Sequence, residues 1–387
     1  MFKSILISGV LCTLLSAQNF ETFLQKALTE SPYLHASSLE ILQAAEQGAI
    51  LQRYKNPSLE LEYSHFTPQN GSDAGGYRVN YSQPIQLWGL QSAKQQLATK
   101  LSQTATADYE AKKALYMRTL SLLYVEYMQA SQLEALAEEA STIAKKIFTI
   151  SQVRYEKGRI AKGVLLQAQI DYERAVIGCE ELRLATQQSY YSLLSFAGVK
   201  EEIRLSTHYT FTPLMKKQQH PQMQLLALQN KAMLSQAELL EHSLSWVNLF
   251  AEYEEEPEQE IMRVGLTLPL PIFNTKSQEK KLATLKAKEK KISLEATTTR
   301  VALETKLLNY ERASLLKQKT SNAKVLQNEL RLLKMYEEGY KIANVKLLAL
   351  QEVKNRVIQT KKKLIYIESG LNKNAILTNY NQGNYND

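Results

Sequence analysis

The chain contains little cysteine, proline or glycine. Its 387 residues include 2 cysteines, 9 prolines and 14 glycines. Cys12 lies in an N-terminal segment that is predicted to be removed, so Cys179 would remain alone and no intrachain disulfide could form. Proline and glycine, which interrupt helices, are both absent from Leu90 to Lys157. This gap predicts a single helix of about 68 residues in a fold held together by packing alone.

The chain also lacks a long hydrophobic run outside its N-terminus. Lys3, an apolar stretch from Ile5 to Leu15, and the small residues Ser16 and Ala17 predict a secretory signal peptide over residues 1–17. Lipid attachment at Cys12 is an alternative, which the bulky Leu11 before it disfavours. After residue 17 no stretch of 18 apolar residues remains, so a membrane-spanning helix is not expected.

Strong charge and the motifs of catalysis are absent as well. The formal net charge is +8, from 47 Lys and Arg against 39 Asp and Glu, and the basic residues are spread along the chain. This distribution argues against nucleic-acid binding. The five histidines are scattered, and the chain shows neither a phosphate-binding glycine loop nor a serine or cysteine nucleophile motif. The sequence therefore predicts no enzyme activity, no cofactor and no metal site.

An internal repeat is the most informative feature that is present. Ser92–Thr99 reads SAKQQLAT and Ser277–Thr284 reads SQEKKLAT, at an offset of 277 − 92 = 185 positions. Each copy is predicted to run helix, two strands, long helix, glycine turn and returning helix. The predicted divisions are a signal peptide (1–17), a first repeat (18–198), a connector (199–219), a second repeat (220–370) and a polar disordered tail (371–387).

The helical segments carry apolar residues at coiled-coil spacing. Positions 133, 136, 140, 143, 147 and 150 are apolar with steps of three and four, and Ile170, Ile177, Leu184 and Tyr191 recur every seventh residue. Such seams predict helices packed side by side, either as a coiled coil or as an ordinary helical bundle. A further helix is predicted from Phe20 to Lys55 and a return helix from Val164 to Gly198.

Two strand pairs are predicted between the helices. Ser58 to Phe66 alternates apolar Leu59, Leu61 and Tyr63 with polar residues, and Gly76–Ile85 and two segments between residues 247 and 268 repeat the alternation. Strands of this length and pattern occur in outer-membrane barrels and also in soluble sheets with one buried face. Four strands leave open edges, so closure of a barrel would require an oligomer.

Several ordered motifs resemble the TolC family of outer-membrane efflux ducts over nearly the whole mature chain. They are Glu30–Leu34 (ESPYL), Asn56–Leu59 (NPSL), Gln83–Gly89 (QPIQLWG), Leu268–Asn274 (LPLPIFN) and two Tyr-x-x-Gly turns. The resemblance implies a mainly helical fold, with long coiled-coil hairpins forming a periplasmic α-barrel and four strands per chain contributing to a trimeric 12-stranded outer-membrane β-barrel. It further implies an outer-membrane location with a long periplasmic extension. Within the family, the Asn56-Pro57-Ser58-Leu59 motif is most similar to the heavy-metal efflux branch.

The resemblance also implies partners and a functional site at the periplasmic helix tips. The implied partners are two further copies of the chain, outer-membrane lipid, a periplasmic adaptor protein and an inner-membrane pump of the resistance-nodulation-division type. In the best-known members a tyrosine and an arginine of one tip bind an aspartate of the neighbouring tip. Tyr336 and Lys341 stand at the first two positions, whereas Val164 replaces the aspartate and Val345 an acidic entrance residue. The residues assigned to gating and adaptor docking are Tyr155, Glu156, Gly158, Val164, Tyr336, Glu337, Glu338, Gly339, Lys341 and Val345.

The hypothesis from sequence is a passive duct that exports heavy-metal cations. An acidic loop is expected to concentrate cations at its outer mouth, with Glu254, Glu255, Glu256, Glu258 and Glu260 as its members. Glycines at 158 and 339 are expected to permit a positive φ or close approach by an adaptor. Multidrug or protein export is the alternative within this class, and a secreted coiled-coil adhesin or scaffold is the alternative outside it.

Overall fold

The computed structural model describes residues 18–67, 73–214, 218–342 and 344–385, so the predicted signal peptide lies outside the described residues. The chain is mainly helical with one four-stranded antiparallel sheet, which confirms the predicted fold class. The elements in chain order are α1 (Phe20–Glu30), α2 (Pro32–Gln52), β1 (Ser58–Phe66), β2 (Ala74–Gln86), α3 (Leu90–Glu156), α4 (Lys162–Ala197), α5 (Pro221–Glu241), β3 (Trp246–Glu256), β4 (Gln259–Thr267), α6 (Ser277–Lys341) and α7 (Leu347–Asn381).

The predicted single helix from Phe20 to Lys55 is wrong, because the chain breaks between α1 and α2. Ser31 adopts an extended conformation with ψ of 114°, and its backbone N–H donates to the carbonyl of Ala27. The ring of Pro32 disfavours helical geometry at the residue before it and supplies no N–H of its own. Pro32 can therefore begin a helix but cannot continue one.

The first long helix matches its predicted bounds to within one residue. α3 has 67 residues, and α6 of the second repeat has 65, both in segments rich in Leu, Ala, Glu, Lys and Gln. α4 ends at Ala197 and is capped by Gly198, which adopts φ of +74°. The N–H groups of Gly198 and Val199 both donate to the carbonyl of Leu194, as in a glycine-terminated helix.

The four strands form one sheet in the order β1-β2-β3-β4. All neighbours are antiparallel, with Glu62 opposite Arg78 and Arg78 opposite Glu254. Consecutive side chains alternate between two faces, one rich in leucine, valine and tyrosine and the other in glutamate and arginine. β1 and β4 have no neighbour on their outer sides within this sheet.

The chain divides into two compact units. The first, here called the helical unit, comprises Met1–Leu34, Lys113–Gln218 and Val301–Asp387, and the second, the sheet unit, comprises His35–Lys112 and Gln219–Arg300. These units do not coincide with the predicted repeats, since each takes segments from both copies. The helical unit has an aromatic core in which Phe20 contacts Tyr124, with ring centroids 4.9 Å apart. The Tyr124 hydroxyl donates to the carbonyl of Ser206 at 2.7 Å, which ties the connector to α3.

The predicted disorder of residues 371–387 is wrong for the part that the structure describes, because α7 continues to Asn381. Its asparagines satisfy buried backbone groups: Asn374 is 1% exposed and donates to the carbonyl of Leu308 at 2.8 Å. The amide oxygen of Asn379 accepts from the N–H of Leu214 at 2.8 Å. Asparagine-rich composition indicated disorder, yet here it supplies the hydrogen-bond partners that an irregular connector requires.

Candidate functional site

The first helix tip is the turn between α3 and α4, and it is closed by Gly158. Gly158 adopts φ of +68°, and its N–H donates to the carbonyl of Tyr155 at 2.8 Å. The backbone N–H of Arg159 donates to the backbone carbonyl of Arg154, also at 2.8 Å. This pair of bonds is the Schellman arrangement, which requires a left-handed residue at that position. The predicted positive φ of Gly158 is therefore confirmed. Tyr155, Glu156 and Gly158 are all exposed.

The second tip, between α6 and α7, is built differently although its Tyr-x-x-Gly motif is the same. Gly339 lies inside α6, which continues to Lys341, and its φ is not positive, so only the other alternative, close approach by an adaptor, stays a prediction for it. Its carbonyl accepts from Asn344 N–H at 2.9 Å and from Val345 N–H at 3.3 Å. A Cβ at position 339 would lie 2.6 Å from Cγ2 of Val345. Glycine is needed here because of a close approach within the chain.

Tyr340 is the central side chain of the second tip and was not identified from sequence. It is 1% exposed, and its hydroxyl lies 2.8 Å from Oγ of Ser151, which is fully buried. The guanidinium of Arg154 lies 4.5 Å from the centre of the Tyr340 ring and donates to the Tyr340 carbonyl at 3.2 Å. Together these contacts fasten α6 to α3. No local motif marks Tyr340, since both of its partners come from a helix nearly 190 positions earlier.

The charged residues predicted for the tips differ in their environment. Glu337 forms an ion pair with Lys146 of α3 at 2.6 Å. Glu338 and Lys341 are exposed. Exposed charges of this kind contribute little to stability, so the folded tip does not depend on them.

Apolar packing holds the tips together at the positions where the family resemblance places polar gate residues. Val164, Tyr336 and Val345 are partly buried against a cluster that includes Ile147 and Leu350. This cluster also contains Ala168, Leu333, Leu347, Val353 and Val357. The structure therefore brings both tips into one apolar contact.

The sheet unit presents an uncovered apolar face and a polar face bridged by ion pairs. On the apolar face Leu61 is 71% exposed and Val264 is 85% exposed. On the polar face Arg78 pairs with Glu62, and Arg263 pairs with Glu252. Phe250, which departs from the polar pattern, lies over Gly265, where a Cβ would come within 2.6 Å of its ring.

The predicted acidic loop is mostly strand. β3 runs to Glu256 and β4 begins at Gln259, so only Pro257 and Glu258 form the turn. Glu254 pairs with Arg263, Glu255 accepts from the Tyr77 hydroxyl, and Glu256 accepts from Gln259 at 2.7 Å. The carboxylates are brought together as expected, but several already have partners. Glu258 and Glu260 are exposed.

Among the described residues, the His, Cys, Asp and Glu side chains form no cluster of three or more that could hold a metal ion. None of the described helices combines the length and apolar character needed to span a bilayer.

Comparison with known proteins gives a family match and a shared fold. Residues 23–199 match the model of the outer membrane efflux protein family. No match was found among curated protein sequences. The fold is similar to that of the CmeC outer membrane channel of Campylobacter jejuni, with a TM-score of 0.77 and 17% identity over 94% of this chain and 85% of that chain. The outer membrane protein VceC of Vibrio cholerae gives a TM-score of 0.77 and 15% identity over 94% of this chain and 95% of that chain.

The open state of the MtrE outer membrane channel of Neisseria gonorrhoeae is similar too, with a TM-score of 0.76 and 12% identity over 94% of this chain and 88% of that chain. At these identities the structural matches establish the fold, and the family assignment comes from the sequence model. The two findings agree with the repeats, the long helices and the four-stranded sheet. Residues 23–199 therefore match the outer membrane efflux protein family, whose TolC-like channels are passive ducts and not enzymes.

Proposed function

We propose that this chain is the outer-membrane duct of a tripartite efflux system and that heavy-metal cations are its cargo. The observation that carries the choice of cargo is the polar face of the sheet, where glutamates outnumber arginines. The glutamates are Glu60, Glu62, Glu252, Glu254 and Glu256, and the arginines are Arg78 and Arg263. If this face lines a water-filled lumen, the excess of carboxylates attracts cations and repels anions.

Assembly as a homotrimer is supported by surfaces that a single chain leaves uncovered. The row Ile170, Ile177 and Leu184 on α4 is exposed, as are Leu303 and Leu307 on α6. Coiled-coil spacing on an exposed face favours packing against another helix. Contact of α4 of one copy with α6 of the next would be head-to-tail, and a contact of this kind forms a ring when its rotation closes. Three copies would supply the twelve strands that remove the open edges of β1 and β4.

The helix tips are proposed to receive a periplasmic adaptor, which links the duct to an inner-membrane pump of the resistance-nodulation-division type. Tyr155 is 40% exposed at the first tip, and Ile342 and Leu348 are 68% and 69% exposed at the second. Exposed apolar groups at a helix end are suited to packing against a partner hairpin. Docking of this kind connects the duct to the pump, which supplies the energy for transport.

Growth of a deletion strain tests the cargo. We expect the strain to become sensitive to zinc, cadmium, nickel, cobalt or copper salts, while its sensitivity to dyes and bile salts stays unchanged. Growth on the metal salts should recover when the gene is restored. Sensitivity confined to the organic compounds would replace metal export with multidrug export. A protein that is released without detergent would instead favour the scaffold alternative.

Charge reversal tests the selectivity of the outer turn. We expect Glu258→Lys with Glu260→Lys to lower the ratio of cation to anion permeability in planar bilayers, because both carboxylates are exposed. Glu238→Lys, which makes the same kind of change on the exposed surface of α5, is the control. An unchanged ratio in the double variant would remove the role assigned to the turn.

A further inference from the structure

A cavity of about 540 Å³ lies within the helical unit, beside the connector. Its lining comes from three helices, α3, α6 and α7, and from connector residues 208–212. A volume of this size is typical of small-molecule sites in proteins and exceeds many times the space that one water molecule needs. The cavity is therefore large enough for an organic ligand.

Two buried polar atoms in the lining have no hydrogen-bond partner among the residues that the structure describes. They are Nη1 of Arg312 on α6 and Oγ of Ser369 on α7, a residue that is 6% exposed. A serine within a helix commonly donates to the carbonyl four residues earlier, as Ser151 does to Ile147 at 2.9 Å. The hydroxyl of Ser369 makes no such bond. Because a buried donor without a partner is costly, both groups are suited to binding a ligand.

The charges of the lining select the charge of that ligand. Nζ of Lys319 lies 3.0 Å from a carboxylate oxygen of Glu368, so these two side chains neutralise each other. Arg312 then remains as the cation without a counter-charge among the described lining residues, and with His208 counted as neutral the lining carries a net charge of +1. A planar guanidinium can bind a carboxylate through two parallel hydrogen bonds. These features favour a ligand with a single carboxylate.

The lining also includes an apolar surface beside these polar groups. Val125 and Met128 of α3 are 1% and 3% exposed, and Phe211 of the connector and Leu371 of α7 line the same cavity. Water alone could pair with the polar groups but would gain nothing from this apolar surface. A ligand that satisfies the whole lining therefore has an apolar body as well as a charged end.

We propose that this cavity is a binding site for a small amphipathic monocarboxylate. The carboxylate accepts hydrogen bonds from Arg312 and Ser369, and the apolar body packs against Met128 and Phe211. The N–H of Phe211 donates to Oδ1 of Asn372 at 3.0 Å, so the connector is already attached to α7 beside the cavity. A bound ligand adds a link from both of these segments to α6. The site goes beyond the proposed duct function and does not depend on the cargo of the duct.

Titration of 4-phenylbutyrate into the purified protein in lipid nanodiscs tests the site, with saturation-transfer NMR as the readout and empty nanodiscs as the blank. We expect a dissociation constant of about 1 mM or lower for the wild type. The uncharged amide of the same acid should bind about tenfold more weakly or worse, because it loses the charge-assisted bonds.

Substitutions in the lining locate the binding of the carboxylate. Arg312→Gln should weaken binding of 4-phenylbutyrate about tenfold or more, and it should leave the affinity for the amide within about threefold of the wild-type value. Ser369→Ala should weaken binding of the acid by roughly 2- to 10-fold. Arg331→Gln is the matched control, because Arg331 is an exposed arginine of the same helix outside this cavity, and its affinity should equal that of the wild type.

Photolabelling of the wild-type protein keeps the test independent of the folding of any variant. The probe 4-benzoylbenzoate carries one carboxylate on an aromatic body, and its excited ketone takes a hydrogen atom from a nearby C–H group and forms a bond to that carbon, preferentially at methionine. We expect the label at Met128, with protection of about threefold or more by excess 4-phenylbutyrate. Equal affinities for acid and amide, equal affinities of the wild type and Arg312→Gln, or labelling without protection would overturn the site. Absence of binding by either acid, which would leave water as the occupant, would overturn it too.

Discussion

Substitution of Gly339 offers a sharp test of how the second tip is packed. An alanine Cβ at this position would lie 2.6 Å from Cγ2 of Val345, closer than carbon atoms can approach without movement. Overpacking of this kind costs about 1–3 kcal/mol. Alanine also suits a helix better than glycine by about 1 kcal/mol. The expected net effect of Gly339→Ala is therefore a destabilisation of about 0–2 kcal/mol.

Val345→Ala should reverse the sign of that effect. Without Cγ2, the nearest atom to the new Cβ is Cβ of residue 345 at 3.6 Å, an ordinary contact. Gly339→Ala should then stabilise the tip by about 1 kcal/mol through helix propensity. The coupling between the two substitutions should thus be about 1–3 kcal/mol.

Hydrogen exchange at the amides of Asn344 and Val345 measures this coupling. Both amides donate to the carbonyl of Gly339, so a displaced turn exposes them directly. A coupling of about 1–3 kcal/mol corresponds to roughly a 5- to 150-fold difference in exchange rate between the two backgrounds. Gly158→Ala is the control: no atom lies within 4 Å of its Cβ, so its cost of about 1–2 kcal/mol should come from φ alone and should not depend on Val345. Equal effects of Gly339→Ala in both backgrounds would refute the packing argument.

Three further outcomes follow from the helical unit. Burial raises the pKa of Tyr124, so its contribution to stability is complete below about pH 10 and is lost as the pH rises. Tyr124→Phe should lose about 1 kcal/mol of stability at neutral pH, because the hydrogen bond to Ser206 is removed. Between neutral pH and about pH 11 the variant should lose less further stability than the wild type, as measured by thermal melting of the helices. Burial also raises the pKa of the Cys179 thiol, so maleimide labelling should be slow in the native protein and fast in denaturant, and equal rates would contradict its position. Asn379→Ala should cost about 1–3 kcal/mol in a denaturant titration, because the N–H of Leu214 loses its partner, and no cost would mean that the end of α7 is not docked.

Local composition predicted the elements of this fold well. Ser58–Phe66 is a strand with the predicted bounds, and the interval without glycine or proline became α3 to within a residue. Both predictions depend on short-range properties: side-chain alternation in the strand and helix propensity in the long helix. Pro32 is an exception, because it begins a new helix, α2, inside the segment that was predicted as one helix from Phe20 to Lys55.

The candidate site could be predicted only in part, because its contacts join distant segments. The motif Tyr-x-x-Gly located both tips, yet it did not identify Tyr340. The position of Tyr340 is defined by Ser151, a residue 189 positions away. The asparagines near the C-terminus were misread for the same reason. Their composition indicates disorder unless the backbone groups that they satisfy are known.

The two tips have diverged from a common motif, and the divergence separates two tasks. Gly158 keeps a left-handed turn that leaves Tyr155 exposed, whereas Gly339 stays helical and turns Tyr340 into the core. A turn closed by its own backbone bonds can offer its side chains to a partner without losing its shape. A turn held by side-chain packing changes shape when that packing is disturbed. Within the proposed duct, the first tip is therefore the better candidate for adaptor docking and the second for the movement that opens the channel.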